Sequence, residues 1–148
     1  MKIMVPVDGS KYSMEALKVA MDLAKMKSAE ICVISVAPYI GGMNDHEISP
    51  ARRERHMDTL EKYADEIVKK ACDVLSAENI STSSCRTLLT SISVPDAIID
   101  FAEKEKIDLI VMGSKGLSTS SRFKMGSVAS QVVKYSPCSV YLVKITSE

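Results

Sequence analysis

Two short stretches of this chain carry residue types that could hold a small anion. Residues 112–130 read MGSKGLSTSSRFKMGSVAS, where Gly113, Gly116 and Gly126 punctuate a serine-rich, basic run without a carboxylate. Residues 5–10 read VPVDGS, where Asp8 and Gly9 close a short apolar run. Without side chains, glycines let backbone N–H groups approach an anion closely. A helix N-terminus adds unpaired donors and partial positive charge. Gly126-Ser127 stands where the last helical pattern begins, so Gly113, Gly116, Gly126 and Ser127 are expected to form a phosphate cradle, with Gly116 turning the chain at positive φ. Ser127 can donate its hydroxyl, and Lys115, Arg122 and Lys124 add charge nearby. The same residues would also serve as a plain turn with Ser127 capping a helix, and the residues alone leave both readings open. Asp8 has a similar pair of readings, a ligand contact and an Asx turn before the first helix.

The surrounding charge fits an anion site or a solvated basic face. Lys115, Arg122, Lys124, Lys134 and Lys144 follow Asp108, and no acidic residue intervenes before Glu148. Over the whole chain 19 basic residues balance 19 acidic ones, which speaks against a general nucleic-acid binder. No GK[ST] occurs, so there is no Walker A loop, and GxGxxG is missing after the first strand-like run. A GxSxG nucleophile elbow is absent as well. Cys32, Cys72, Cys85 and Cys138 form no CxxC pair and lie apart from His46 and His56, which argues against zinc. Cys32, Cys85 and Cys138 fall in or beside strand-like runs, where free cysteines behave as small buried hydrophobes. They are expected to be core thiols of a protein in a reducing compartment. Both histidines are expected to be exposed and without function. The N-terminal run IMVPV is too short for a signal peptide and no apolar run approaches membrane-spanning length, so a cytoplasmic protein is expected.

The elements that must position these stretches follow from periodicity. At 148 residues the chain fits one domain, which hides roughly 70% of its unfolded surface. Strand-like runs cover 2–7, 30–37, 81–90, 107–112 and 139–144. Ser10 is a candidate cap for a helix with Ala16, Leu17, Ala20, Leu23 and Ala24 on one face. A long helix from Pro50 to Ala77 shows a stripe of Met57, Leu60, Ala64, Ile67, Ala71 and Leu75, expected to lie on a sheet. Pro95 opens a third helix, with Ala97, Ile98, Phe101 and Ala102 facing inward, and 128–135 forms a fourth. Alternation of strands and helices with near-continuous apolar strands predicts an α/β fold, a five-stranded parallel open sheet with helices on both faces. In such sheets ligands bind beyond the strand ends where the strand order reverses. The glycines follow strands 1 and 4 and not strand 3, so those two strands should be adjacent, in the order 3-2-1-4-5.

With these motifs in place the sequence resembles the universal stress protein family. Its ATP-binding members carry Gly, two residues, Gly, nine residues, then Gly-Ser or Gly-Thr, and here Gly113, Gly116 and Gly126-Ser127 match that spacing. IMVPVDGS (3–10), IDLIVMGSKG (107–116) and GSVASQVV (126–133) also resemble the family, and the likeness spans the whole chain, read as one domain over 1–148. The resemblance implies an adenine nucleotide alpha hydrolase-like fold and a bound ATP, or another adenine nucleotide, with Mg. Adenine would meet backbone at Pro6, Val7 and Val36. Asp8 would meet the ribose or a metal on the phosphates. Gly113, Lys115, Gly116, Gly126, Ser127 and Val128 would hold the phosphates. The resemblance also implies a homodimer through strand 5 (139–144), and the exposed apolar edge proposed there agrees. No membrane or nucleic-acid partner is expected. One departure is Ser93, where the family often has glycine. The loop 38–49 carries no assignment.

The expected function is a dimeric, ATP-dependent stress-response switch or sensor. Asp8 is the one acid among the proposed site residues and no histidine joins it, so hydrolysis is expected to be slow at most. The alternatives are a nucleotide-independent interaction protein of the same fold, and a slow ATPase that phosphorylates itself on Ser118–Ser121.

Overall fold

The computed structural model describes residues 1–38, 50–90, 92–117 and 125–145. His46, Ser118–Ser121, Arg122 and Lys124 therefore lie outside the described residues, as does most of the loop 38–49. The elements are β1 (Lys2–Pro6), α1 (Lys11–Lys27), β2 (Glu30–Pro38), α2 (Pro50–Ala77), β3 (Thr82–Thr90), α3 (Val94–Lys104), β4 (Leu109–Gly113), α4 (Ser127–Tyr135) and β5 (Ser139–Val143). Every strand pairing is parallel and the order is β3-β2-β1-β4-β5, as expected.

Alternation along the strands divides the core into two layers. Ile3, Val5, Ile31, Val33 and Val111 point to one face, where the buried residues of α1 and α2 cover them. Met4, Cys32, Ile34, Ile110 and Met112 point to the other, under α3 and α4. Ile3, Met4 and Val5 are each 0% exposed, as the central position of β1 requires. Burial of each such side chain stabilises the fold by about 1.5–3 kcal/mol. On α2 the buried positions are Ala64, Val68, Ala71 and Leu75, while Leu60 and Ile67 are half-buried. His56 is exposed.

Helix starts show how local chemistry sets the boundaries. The Ser10 hydroxyl accepts the Ser13 N–H at 3.2 Å and begins α1. The Ser93 hydroxyl accepts the Asp96 N–H at 3.3 Å and donates to its carboxylate at 2.6 Å. This cap starts α3 one residue ahead of Pro95, and Ser93 sits at an ordinary φ of −64°, so no glycine is needed there.

The cysteines require a correction. Cys72 and Cys85 form a disulfide, with Cα atoms 6.6 Å apart. The strand pattern around Cys85 predicts a buried thiol, but β3 is an edge strand and Cys85 is exposed. Packing of α2 across β3 then brings Cys72 over it. The inference of a reducing compartment from Cys32, Cys85 and Cys138 as core thiols loses the support of Cys85. Cys32 is buried as expected, and burial pushes its thiol pKa up. Among the described residues no helix is long and apolar enough to cross a membrane.

Candidate functional site

A cleft of about 320 Å³ opens at the carboxyl ends of β1, β2 and β4, where the strand order reverses between β1 and β4. That volume is in the range of small-molecule sites. All ten residues singled out from the sequence line it. Pro6, Val7 and Asp8 come from the end of β1, and Val36 from β2. Gly113, Lys115 and Gly116 follow β4, and Gly126, Ser127 and Val128 bring in the start of α4. Of the five basic residues after Asp108, Lys115 is the described one at the cleft.

Asp8 makes the Asx turn foreseen for it and lines the cleft. Its Oδ1 accepts the Ser10 N–H at 2.9 Å, which makes the Asx turn. Its Oδ2 lies across the cleft against the β4 loop, 2.7 Å from where a Cβ on Gly116 would stand. Gly9 completes the turn at φ 86°, a conformation that favours glycine.

The glycines of the second loop have packing roles that the sequence did not show. A Cβ on Gly113 would meet the Tyr12 Cβ at 2.6 Å and the Tyr12 carbonyl carbon at 2.9 Å. Gly113 therefore has to be small for α1 to pack onto the end of β4. Gly116 is not at positive φ: among the described glycines Gly9 alone is. Its small size makes room for the Asp8 carboxylate. Gly126 N–H donates to the Ser114 carbonyl at 2.6 Å, drawing the start of α4 onto the β4 loop.

That helix start is the chemically open part of the cleft. Gly126 is the N-cap of α4, Ser127 is the first helical residue, and no side chain caps the helix. The reading of Ser127 as a helix cap is therefore excluded. No acidic residue occupies the first turn of α4, and Ser127, Val128 and Ala129 of that turn line the cleft. Unpaired helix amides with partial positive charge suit a phosphate group. Among the described lining residues Asp8 is the one carboxylate and there is no histidine. Among the described residues no group of three or more His, Cys, Asp or Glu could hold a metal ion.

Sequence reasoning missed the wall facing this loop. Leu60, Tyr63, Ala64 and Ile67 of α2 line the cleft, with Ser13, Ser35, Ile98 and Met112 deeper in. The available signal was length. α2 has 28 residues, about 42 Å at 1.5 Å each, while the nine-residue β2 and β3 span about 30 Å. The surplus of α2 extends past the strand ends and roofs the cleft.

The fold and the site together define a parallel α/β protein with an anion-ready cleft at its switch point. Residues 1–144 match the Universal stress protein family, and the chain belongs to that family. It is 37% identical over 149 residues to a universal stress protein of Methanocaldococcus jannaschii, covering 97% of this chain and 81% of that one. Its fold is similar to the solved structure of hypothetical protein MJ0577, with a TM-score of 0.81 and 24% identity, covering 99% of this chain and 97% of that one. It is also similar to the universal stress protein from Archaeoglobus fulgidus in complex with dAMP, with a TM-score of 0.70 and 26% identity, covering 97% and 98% of the two chains.

Proposed function

We propose that the cleft binds an adenine nucleotide, with ATP as the expected ligand, and that binding sets the state of a stress-response switch. The observation that carries this reading is the uncapped start of α4, with Lys115 and Asp8 in the same lining. The phosphates would lie on the amides of the first turn of α4 and on the Ser127 hydroxyl. The base would lie toward Val7 and Val36, where the lining is apolar, and Asp8 would take a ribose hydroxyl. The dAMP complex of the A. fulgidus relative supports adenine nucleotide as the ligand class.

Magnesium fits as a companion of the phosphates, because Asp8 is the single carboxylate among the described lining residues. Bound there, it would offset phosphate charge that otherwise faces the Asp8 carboxylate. Turnover is secondary in this reading, since the described lining residues offer no second acid or histidine to orient water. The chain would act as one domain over 1–148, in the cytoplasm, as a homodimer through β5. That strand is at the sheet edge, and Tyr141 on it is 47% exposed.

The test is the nucleotide carried by freshly purified protein, released by denaturation and identified by mass. Adenine nucleotide at near one per chain is the expected result. A protein that arrives empty and does not bind added ATP with magnesium contradicts the proposal and leaves an interaction protein of the same fold.

A further inference from the structure

We infer that Cys72 and Cys85 form a reversible dithiol–disulfide couple that sets how firmly α2 closes on the nucleotide cleft. This rests on the reading of the cleft as a nucleotide site. The pair joins the one helix that roofs the cleft to an edge strand. Cys72 is half-buried and packs against the core beneath α2. Cys85 is exposed on β3, where a small thiol or disulfide can reach it.

The position of the pair decides what it controls. Ile67, the last cleft residue on α2, precedes Cys72 by about 7.5 Å of helix rise. A second link, from the Thr87 hydroxyl to the Asp65 carboxylate, joins the same helix face to the same strand face and is exposed. The turn between α2 and β3 does not depend on the crosslink. Ile80 N–H reaches the Leu75 carbonyl at 3.0 Å, and Asn79 turns the chain at φ 57°. With the turn already closed, the crosslink acts on the seating of α2 over β3. Oxidation therefore fixes the wall formed by Leu60, Tyr63, Ala64 and Ile67, and a preorganised wall holds its ligand longer.

The chemistry balances with a low-molecular-weight disulfide such as oxidised glutathione as the oxidant. The Cys85 thiolate attacks one sulfur of that disulfide and expels one thiol. The Cys72 thiolate then attacks the Cys85 sulfur of the mixed disulfide and expels the second. Two electrons and two protons leave the protein, and the oxidant becomes two thiols. The reverse sequence with excess thiol opens the couple. Cys32 takes no part, because it is buried and its thiol is held protonated.

The experiment measures release of a fluorescent ATP analogue, carrying a methylanthraniloyl group on the ribose, from the full chain. It is run on protein equilibrated with oxidised glutathione or with dithiothreitol, and on the Cys72→Ser/Cys85→Ser and Cys32→Ser variants. Release from the oxidised protein is expected to be about ten-fold slower than from the reduced protein. The double variant should release at the reduced rate in both buffers, and Cys32→Ser should behave as wild type. Equal release rates in the two buffers, with thiol counting that confirms both redox states, overturn the couple's control while leaving the nucleotide site standing. A pair that dithiothreitol cannot open in the folded protein also overturns it. No binding in either buffer overturns both readings.

Discussion

Helices α3 and α4 begin in opposite ways, although both follow strands that end at the same edge of the sheet. α3 satisfies itself: Ser93 caps it, and Asp96 places a carboxylate in its first turn. α4 has neither a capping side chain nor an acid in its first turn. α1 resembles α3, with the Ser10 hydroxyl on the Ser13 amide. A helix end that its own residues leave open, beside a concave wall, invites an external anion. The contrast supports placing the proposed anion at the start of α4 rather than at those of α1 and α3.

The contrast can be broken at several points. The largest effect is expected from Gly113→Val, which forces a Cβ against Tyr12 at 2.6 Å. Overpacking there should cost about 3 kcal/mol, and thermal unfolding should show a Tm lowered by about 10 °C. A loss of nucleotide with an unchanged Tm would instead restore Gly113 to the cradle. Next is Ser93→Ala, which removes the cap of α3 and should cost about 1 kcal/mol in denaturant unfolding. Nucleotide affinity should stay within two-fold, since Val94 of that helix start meets the cleft but Ser93 does not line it. The smallest effect concerns Cys32. Its folded pKa is raised by burial, so the neutral thiol belongs to the folded state. Stability is then constant at neutral pH and declines as pH rises through the unfolded thiol value of about 8.5. A Cys32→Ala variant followed by thermal unfolding from pH 7 to 10 should lack that part of the decline.

Much of this arrangement was legible before any coordinates. The strand order followed from glycines after strands 1 and 4, because a ligand crevice at a reversal needs special residues on both sides. The ten cleft residues converge because the family spacing ties the end of β4 to the start of α4. What escaped the sequence depends on through-space neighbours. Gly113 reads the same whether its small size serves a ligand or Tyr12. Cys85 looks like a core residue until β3 is known to be an edge. The stripe on α2 gave the buried side of the helix, but not that its first half overhangs the sheet and lines the cleft.

The most direct measurement is calorimetric titration of ATP with magnesium into wild-type protein and Ser127→Asp. A carboxylate in the first turn of α4 favours the helix dipole by about 0.5 kcal/mol, so folding should be preserved or improved. It should also put negative charge where the phosphates would lie. The account predicts an affinity lowered at least thirty-fold, about 2 kcal/mol, with an unchanged or higher Tm. Equal affinity in the two proteins would contradict it and move the nucleotide away from α4.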